Sequence, residues 1–194
     1  MAARPYHLGH DMLIRIAARD NDEVHVYASM SDRENVSGAA MEKVWNELIK
    51  PTLPGNVDVI LGGNPVTNVF VELGEANEAK SKDFFTVYSD DIDIGKFNVV
   101  QKYAGDLIAG GQIILRGIKR SETVDVSGTQ MRQWLAQGDK ESFVSKLPRG
   151  IDGDVMWHVL TTVKPTTVVK KKVKSNQTET LLRDFVKTVI ITKG

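Results

Sequence analysis

The sequence predicts an α/β protein built on a doubly wound parallel sheet, and three observations lead there. Short apolar or alternating runs of strand length are separated by longer stretches with helical apolar spacing. The breaks between them fall at clusters of Gly, Pro, Asn, Asp and Ser. The chain has 194 residues, 41% hydrophobic and 26% charged, enough to bury one sizeable core in one domain.

The elements follow in order. A helix-like run Asp11–Ala18 comes first, then the alternating segment Glu23–Ser29, which reads as a strand. After the polar loop 31–35, Gly38 to Lys50 reads as a helix closed by Pro51. Residues 56–61 form a strand stopped by Gly62-Gly63, and a helix spans about Val66 to Ala76. A strand over 83–88 runs into the acidic loop 89–93, and a helix is expected from Phe97 to Ile108. Residues 112–116 and 123–126 are short strand candidates, followed by helices over 129–137, 140–146 and 154–161. In such a sheet ligands sit beyond the carboxyl ends of the strands. The loops 29–37, 61–65, 89–95 and 127–132 would share that edge.

One strand is wanting at the centre, because only six residues precede His7; either the reading frame starts late or another segment fills that slot. The β-branched tail 185–192 has the composition to fill that slot, in the manner of a circular permutation. The expected division is a domain over 1–162 and a basic linker with a C-terminal segment over 163–194, where Lys164, Lys170, Lys171, Lys172 and Lys174 cluster.

Composition narrows the function classes. Lys plus Arg (25) balance Asp plus Glu (25), so nothing global points to nucleic acid. The lysine cluster is the only feature favouring a nucleic-acid-binding domain, and it also reads as a solvated linker. No cysteine is present, which favours a cytoplasmic setting. No apolar run reaches the roughly 20 residues of a bilayer span, so no membrane partner is expected.

The chemistry concentrates in two segments. The first is Arg4-Pro5-Tyr6-His7-Leu8-Gly9-His10, two imidazoles at the start of a helix beginning near Gly9. Unpaired N–H groups and the positive end of the helix dipole make this a place for an anion, most naturally phosphate. Surface histidines on an N-terminal arm are the plainer alternative. The second is Val126-Ser127-Gly128-Thr129-Gln130-Met131-Arg132, where hydroxyls open a helix and Arg132 follows Thr129 by one turn. A guanidinium there can grip phosphate oxygens bidentately. The same residues also read as a capping box, with Ser127 as N-cap and Gln130 three residues on. The two roles are compatible.

Other candidates carry weaker patterns. Arg33 lies in the loop after the first strand, and Asp90, Asp91 and Asp93 form an acidic turn that could equally cap the next helix. Arg116, Lys119 and Arg120 precede the second segment and either neutralise a leaving group or line a solvated loop. His25 and His158 are read as packing residues, and Trp45, Trp134 and Trp157 as core or interface.

His-x-Gly-His and Ser-Gly-Thr-x-x-Arg, in that order at opposite ends of one domain, resemble the two signatures of the nucleotidyltransferase superfamily. The resemblance covers about residues 1–160. With the run Gly138-Asp139…Phe143…Leu147-Pro148, it is closest to the small members encoded by large tailed bacteriophages. It implies a Rossmann-like, three-layer α/β/α fold of the adenine nucleotide α-hydrolase type. The implied activity is transfer of AMP, or CMP, from ATP or CTP to a phosphorylated small-molecule acceptor, with release of pyrophosphate. ATP is favoured because Ser-Gly-Thr-x-x-Arg looks adenylyltransferase-like.

On that resemblance His7, His10 and Arg132 are catalytic, while Pro5, Gly9, Arg120, Ser127, Gly128 and Thr129 bind the nucleotide. Arg33, Asp90 and Asp91 meet the acceptor. Mg²⁺ comes with the triphosphate, and no protein residue is assigned to a metal. Homo-oligomerisation is compatible with the resemblance, since many relatives assemble. The lead-in departs from the usual Gly-x-Phe-x-Pro: Met1 stands for the glycine and Ala3 for the aromatic residue, which bears on nucleotide affinity. A degenerate, non-catalytic nucleotide-binding module is the alternative.

Overall fold

The computed structural model describes residues 4–91, 94–119, 126–165 and 190–193. The first helix, α1 (Leu8–Asp20), starts one residue before the expected Gly9, because His7 is its N-cap. Its buried residues His10, Leu13, Ile14 and Ala17 recur at three- and four-residue spacing, which puts one stripe against the sheet. Strand β1 (Glu23–Ala28) follows. The expected helix 38–50 begins as α2 (Gly38–Val44), widens into a π-helical turn over Trp45–Ile49, and tightens to a 3-10 turn over Lys50–Thr52. Pro51 explains the change of pitch: it lacks an N–H, and its ring crowds the carbonyl four residues back.

Strand β2 (Val57–Leu61) and helix α3 (Pro65–Glu78) match expectation, and β3 (Phe85–Asp90) extends to the acidic turn. The helix expected over 97–108 is instead a 3-10 helix, Ile94–Lys102, and a short α4 (Gly105–Ala109). Ile94, Phe97 and Val100 pack inward at every third position, the 3-10 repeat, where β-branched Val99 and Val100 disfavour an α-helix. Then come β4 (Ile113–Ile118), α5 (Gly128–Gln137), α6 (Lys140–Val144), α7 (Gly153–Thr162) and β5 (Ile190–Lys193). Of the strand expected over 123–126, Val126 lies outside any strand and the rest falls outside the described residues.

The protein is mixed α/β. Its sheet has the order β2-β1-β5-β3-β4. β1 and β2 run parallel in the register Val24↔Val57 to Ala28↔Leu61, and β3 and β4 run parallel from Phe85↔Ile113 to Asp90↔Ile118. β5 is antiparallel to both neighbours, with Ile190 opposite Val26 on one side and Tyr88 on the other. The tail therefore fills the central slot, as its composition suggested, but in the reverse direction. The sheet is mixed rather than wholly parallel, and a simple circular permutation would have kept the strand parallel. Residues 185–189 of the expected strand lie outside the described residues, as do Lys170, Lys171, Lys172 and Lys174.

Successive strand residues serve two apolar clusters, as a two-residue side-chain period requires. Val24, Val26, Ala28 and Tyr88 join Ile14, Met41, Trp45 and Met131 in the larger one. Tyr27, Phe85 and Val87 join Val69, Phe70, Leu73 and Phe97 in the other. Trp45 is fully buried, whereas Trp134 and Trp157 pack at the margin of the first cluster. Among the described residues no helix is long and apolar enough to cross a membrane.

Candidate functional site

Two helix starts and one loop converge beyond the carboxyl end of β1. The first start is that of α1. His7 Nδ1 accepts the Gly9 N–H at 3.2 Å, so in the neutral ring the proton sits on Nε2. Leu8 N–H donates to the Lys146 carbonyl at 2.9 Å, which leans this turn on the end of α6. The His7 and His10 rings lie 3.8 Å apart between centroids at 31°, and both residues are more than nine-tenths buried. Rings so close repel when both are protonated, and an anion beside them offsets that repulsion.

Behind them, Tyr6 is fully buried and stacks on His10 at 5.9 Å. Its hydroxyl donates to Asp11 Oδ1 at 3.1 Å, and Arg15 Nε donates to Asp11 Oδ2 at 2.7 Å. Burial, then the Asp11 charge and hydrogen bond, push the Tyr6 phenol well above its ordinary range, so it stays a donor.

The second start is that of α5, and it carries the expected capping box. Ser127 Oγ accepts the Gln130 N–H at 3.2 Å, while the Ser127 N–H donates to Gln130 Oε1 at 3.0 Å. Arg132, 5% exposed, is engaged at every nitrogen. Nε donates to Glu34 Oε2 at 2.8 Å, Nη1 to the Arg4 carbonyl at 3.0 Å, and Nη2 to Thr129 Oγ1 at 3.1 Å. The bond to Arg4 joins the two sequence segments. A Cβ on Gly128 would lie 3.3 Å from Arg132 Nη1 and 3.5 Å from the Arg4 carbonyl oxygen, so a small residue suits this approach.

The loop after β1 completes the group. Arg33 and Val36 exchange two backbone hydrogen bonds of 2.9 and 3.0 Å, presenting Glu34 and Asn35 at the tip of a tight turn. Glu34 adopts φ +52°, a left-handed conformation costly for a side chain with a Cβ. Asn35 Nδ2 donates to the Arg132 carbonyl at 3.1 Å. Arg4, 7% exposed, donates through Nη1 to the Ser31 carbonyl and to Ser31 Oγ, the latter at 2.7 Å. Arg4 Nε is buried and has no hydrogen-bond partner among the described residues. Burial, helped by the charges of Arg33 and Arg132 and opposed by Asp32, lowers the Arg4 guanidinium to about 10. It remains a cation at neutral pH.

Of the sequence candidates, Pro5, His7, Gly9, His10, Ser127, Gly128, Thr129 and Arg132 thus belong to two segments in direct contact. Arg33 stands close enough to bear on the charge of Arg4. Asp90 ends β3 and Asp91 begins the turn beyond it, across β5 from the β1 loop. A Cβ on Gly117 would come within 2.9 Å of Asp91 Cα, so that glycine lets β4 approach the acidic turn. Arg116 turns away: Nη1 donates to Asp20 Oδ2 at 2.9 Å, at the opposite end of α1 from the histidines. With a 13-residue helix at about 1.5 Å per residue, Arg116 is removed from the site. Arg120 and Asp93 lie outside the described residues.

His25, read from sequence as packing, instead forms ion pairs. Nδ1 lies 2.8 Å from Glu72 Oε1 and Nε2 2.9 Å from Glu23 Oε1. The sequence reading gave no role to Arg4, Ser31, Glu34 or Asn35. Arg4 adjoined a recognised motif and could have been included, but nothing in the polar run 31–35 singles out Glu34.

No family model, curated protein or solved structure matches the chain.

Proposed function

We propose that the protein is a nucleotidyltransferase that moves AMP, or CMP, from a nucleoside triphosphate to a phosphorylated small-molecule acceptor. The observation that supports this most is the hydrogen bond from Arg132 to the Arg4 carbonyl, 3.0 Å long. It ties the start of the histidine segment to the start of α5 around two buried guanidiniums. Buried charges need partners, and here three guanidiniums, Arg4, Arg33 and Arg132, face two carboxylates, Asp32 bearing on Arg4 and the exposed Glu34 on Arg132. A polyphosphate suits that surplus.

In the proposed reaction an oxygen of the acceptor phosphate attacks the α-phosphorus in line. The new P–O bond forms as the bond from that phosphorus to the α,β-bridging oxygen breaks, and pyrophosphate leaves with the electron pair. The acceptor is already ionised at neutral pH, so no general base is needed. Catalysis is then positioning and electrostatic stabilisation. His7 and His10 donate to oxygens on which charge develops, and Arg132 with the Ser127–Thr129 turn holds the outgoing phosphates. Pro5 and Gly9 shape the loop beneath the triphosphate. Arg33, Asp90 and Asp91 line the acceptor side, on either flank of β5. The described residues group no three His, Asp or Glu side chains for a cation; phosphate oxygens would supply the ligands of Mg²⁺ arriving with the nucleotide.

If the central strand is counted first, the order β2-β1-β5-β3-β4 becomes the 3-2-1-4-5 arrangement of a Rossmann-like, three-layer domain, with its ligand at the switch point. Reversal of the central strand is its departure from that pattern.

A non-catalytic nucleotide-binding module is favoured by one observation: every nitrogen of Arg132 and the Ser127 hydroxyl already have internal partners. Pyrophosphate release from ATP and from CTP, across a panel of phosphorylated acceptors, separates the two readings. Where turnover is found, His10→Ala should lower kcat by about 10²–10³-fold, the usual effect of removing one transition-state donor, in protein that keeps the wild-type circular dichroism spectrum. Full activity in that variant would refute the catalytic assignment, and nucleotide binding without turnover would establish the module.

A further inference from the structure

Glu34 pairs with the buried Arg132 guanidinium at this site, and its geometry is unusual for a structural partner. Its side chain is 59% exposed while that of Arg132 is 6% exposed. Its backbone sits at φ +52°, in a turn closed by the paired hydrogen bonds of Arg33 and Val36. A long exposed carboxylate reaching inward from the tip of a turn makes a contact that solvent can compete for. A phosphate oxygen offers Arg132 the same charge-assisted bond with more charge behind it.

We propose that Glu34 occupies, on Arg132 Nε, the position of an anionic oxygen of the ligand, and that a polyphosphate binds by displacing it. This rests on the phosphate-binding reading of the Arg132 segment. Glu34 then acts as a built-in competitor. It keeps Arg132 ordered and charge-compensated before the ligand arrives, and it sets the threshold at which polyphosphate enters. Bonds from Arg132 to the Arg4 carbonyl and Thr129 hold the guanidinium plane while its third side changes partner. Asn35, on the Arg132 carbonyl, keeps the turn anchored as the Glu34 side chain swings out.

The test uses the full chain and inorganic tripolyphosphate as probe, with affinity measured by calorimetry for wild type, Glu34→Gln and Glu34→Asp. Glu34→Asp keeps the charge in the turn, suits a positive φ better, and shortens the reach by one methylene. Displacement predicts that both variants bind about 5- to 10-fold tighter than wild type, the scale of one half-exposed charged contact. It also predicts that the Arg132 Nε–H resonance moves when tripolyphosphate is added to wild type. If only Glu34→Gln binds tighter and Glu34→Asp matches wild type, the carboxylate acts through its field alone and displacement is refuted. Wild-type binding with no gain in either variant refutes it too, while leaving the phosphate site standing. Absence of binding in all three removes the phosphate site itself, and the displacement proposal with it.

Discussion

Replacing Gly38 by alanine drives a methyl group into backbone. The added Cβ would stand 1.7 Å from the Met30 carbonyl oxygen and 2.7 Å from its carbon, inside the 3.0 Å that real Cβ atoms keep. The start of α2 and the chain after β1 must therefore part by about 1.3 Å, and the obstacle is main chain rather than a pliable side chain. Overpacking of this kind costs about 3 kcal/mol, the upper part of its usual range. Alanine returns roughly 1 kcal/mol through helix propensity, so the net loss is about 2 kcal/mol. For a chain of this size that lowers the melting temperature by roughly 4–8 °C.

Gly105 supplies the control. It opens α4 and has nothing within 4 Å of an added Cβ, so Gly105→Ala should be neutral or stabilise by up to about 1 kcal/mol. Thermal and urea melts of the two variants beside wild type decide the matter. If Gly38→Ala melts at or above wild type, the close approach of α2 to the β1 loop is wrong.

Two further outcomes follow from the same geometry. The hydrogen bond to Glu72 raises His25 to about 9 against the opposing effect of burial, with Glu23 adding to the rise. The folded state then holds a proton that the unfolded chain releases at its ordinary value near 6.5. That stabilisation is complete below pH 6.5 and is lost as pH rises through 9. Urea midpoints should fall across this interval in wild type and fall less in Glu72→Gln; parallel profiles would contradict the pairing. Ser127→Ala should cost about 1 kcal/mol by removing the α5 cap. Ser127→Asp should restore the melting temperature but not tripolyphosphate affinity, since it caps while repelling an anion; an undiminished affinity would confine Ser127 to a structural role.

What the sequence makes legible is local. The alternation in Glu23–Ala28 and the helical stripe His10, Leu13, Ile14, Ala17 name their elements because one face of each is buried against the same core. The His7–His10 and Ser127–Arg132 segments stand out because each packs several polar groups into one helix start. Direction is not legible in this way. Residues 190–193 read as a strand, but whether they enter parallel or antiparallel depends on the path of the chain before them. Pitch is equally hidden: Pro51 marks where α2 must stop, but the widened turn at Trp45–Ile49 is a response to it. Long-range partners are the least legible. Glu34 reaches Arg132 from a turn with no motif of its own, and only the fold brings the two together.

The reversed central strand has a consequence for assembly. Among the described residues the β1–β2 pair and the β3–β4 pair share no main-chain rung with each other; β5 stitches one to the other. During vectorial synthesis each ribbon can zip early, but the two halves cannot be laced together until residues 190–193 emerge. Closing so long a loop is slow. The β1 ribbon leads into the glutamate turn and the β3 ribbon into the acidic turn, so the two sides of the proposed cleft would reach their final spacing in the last act of folding.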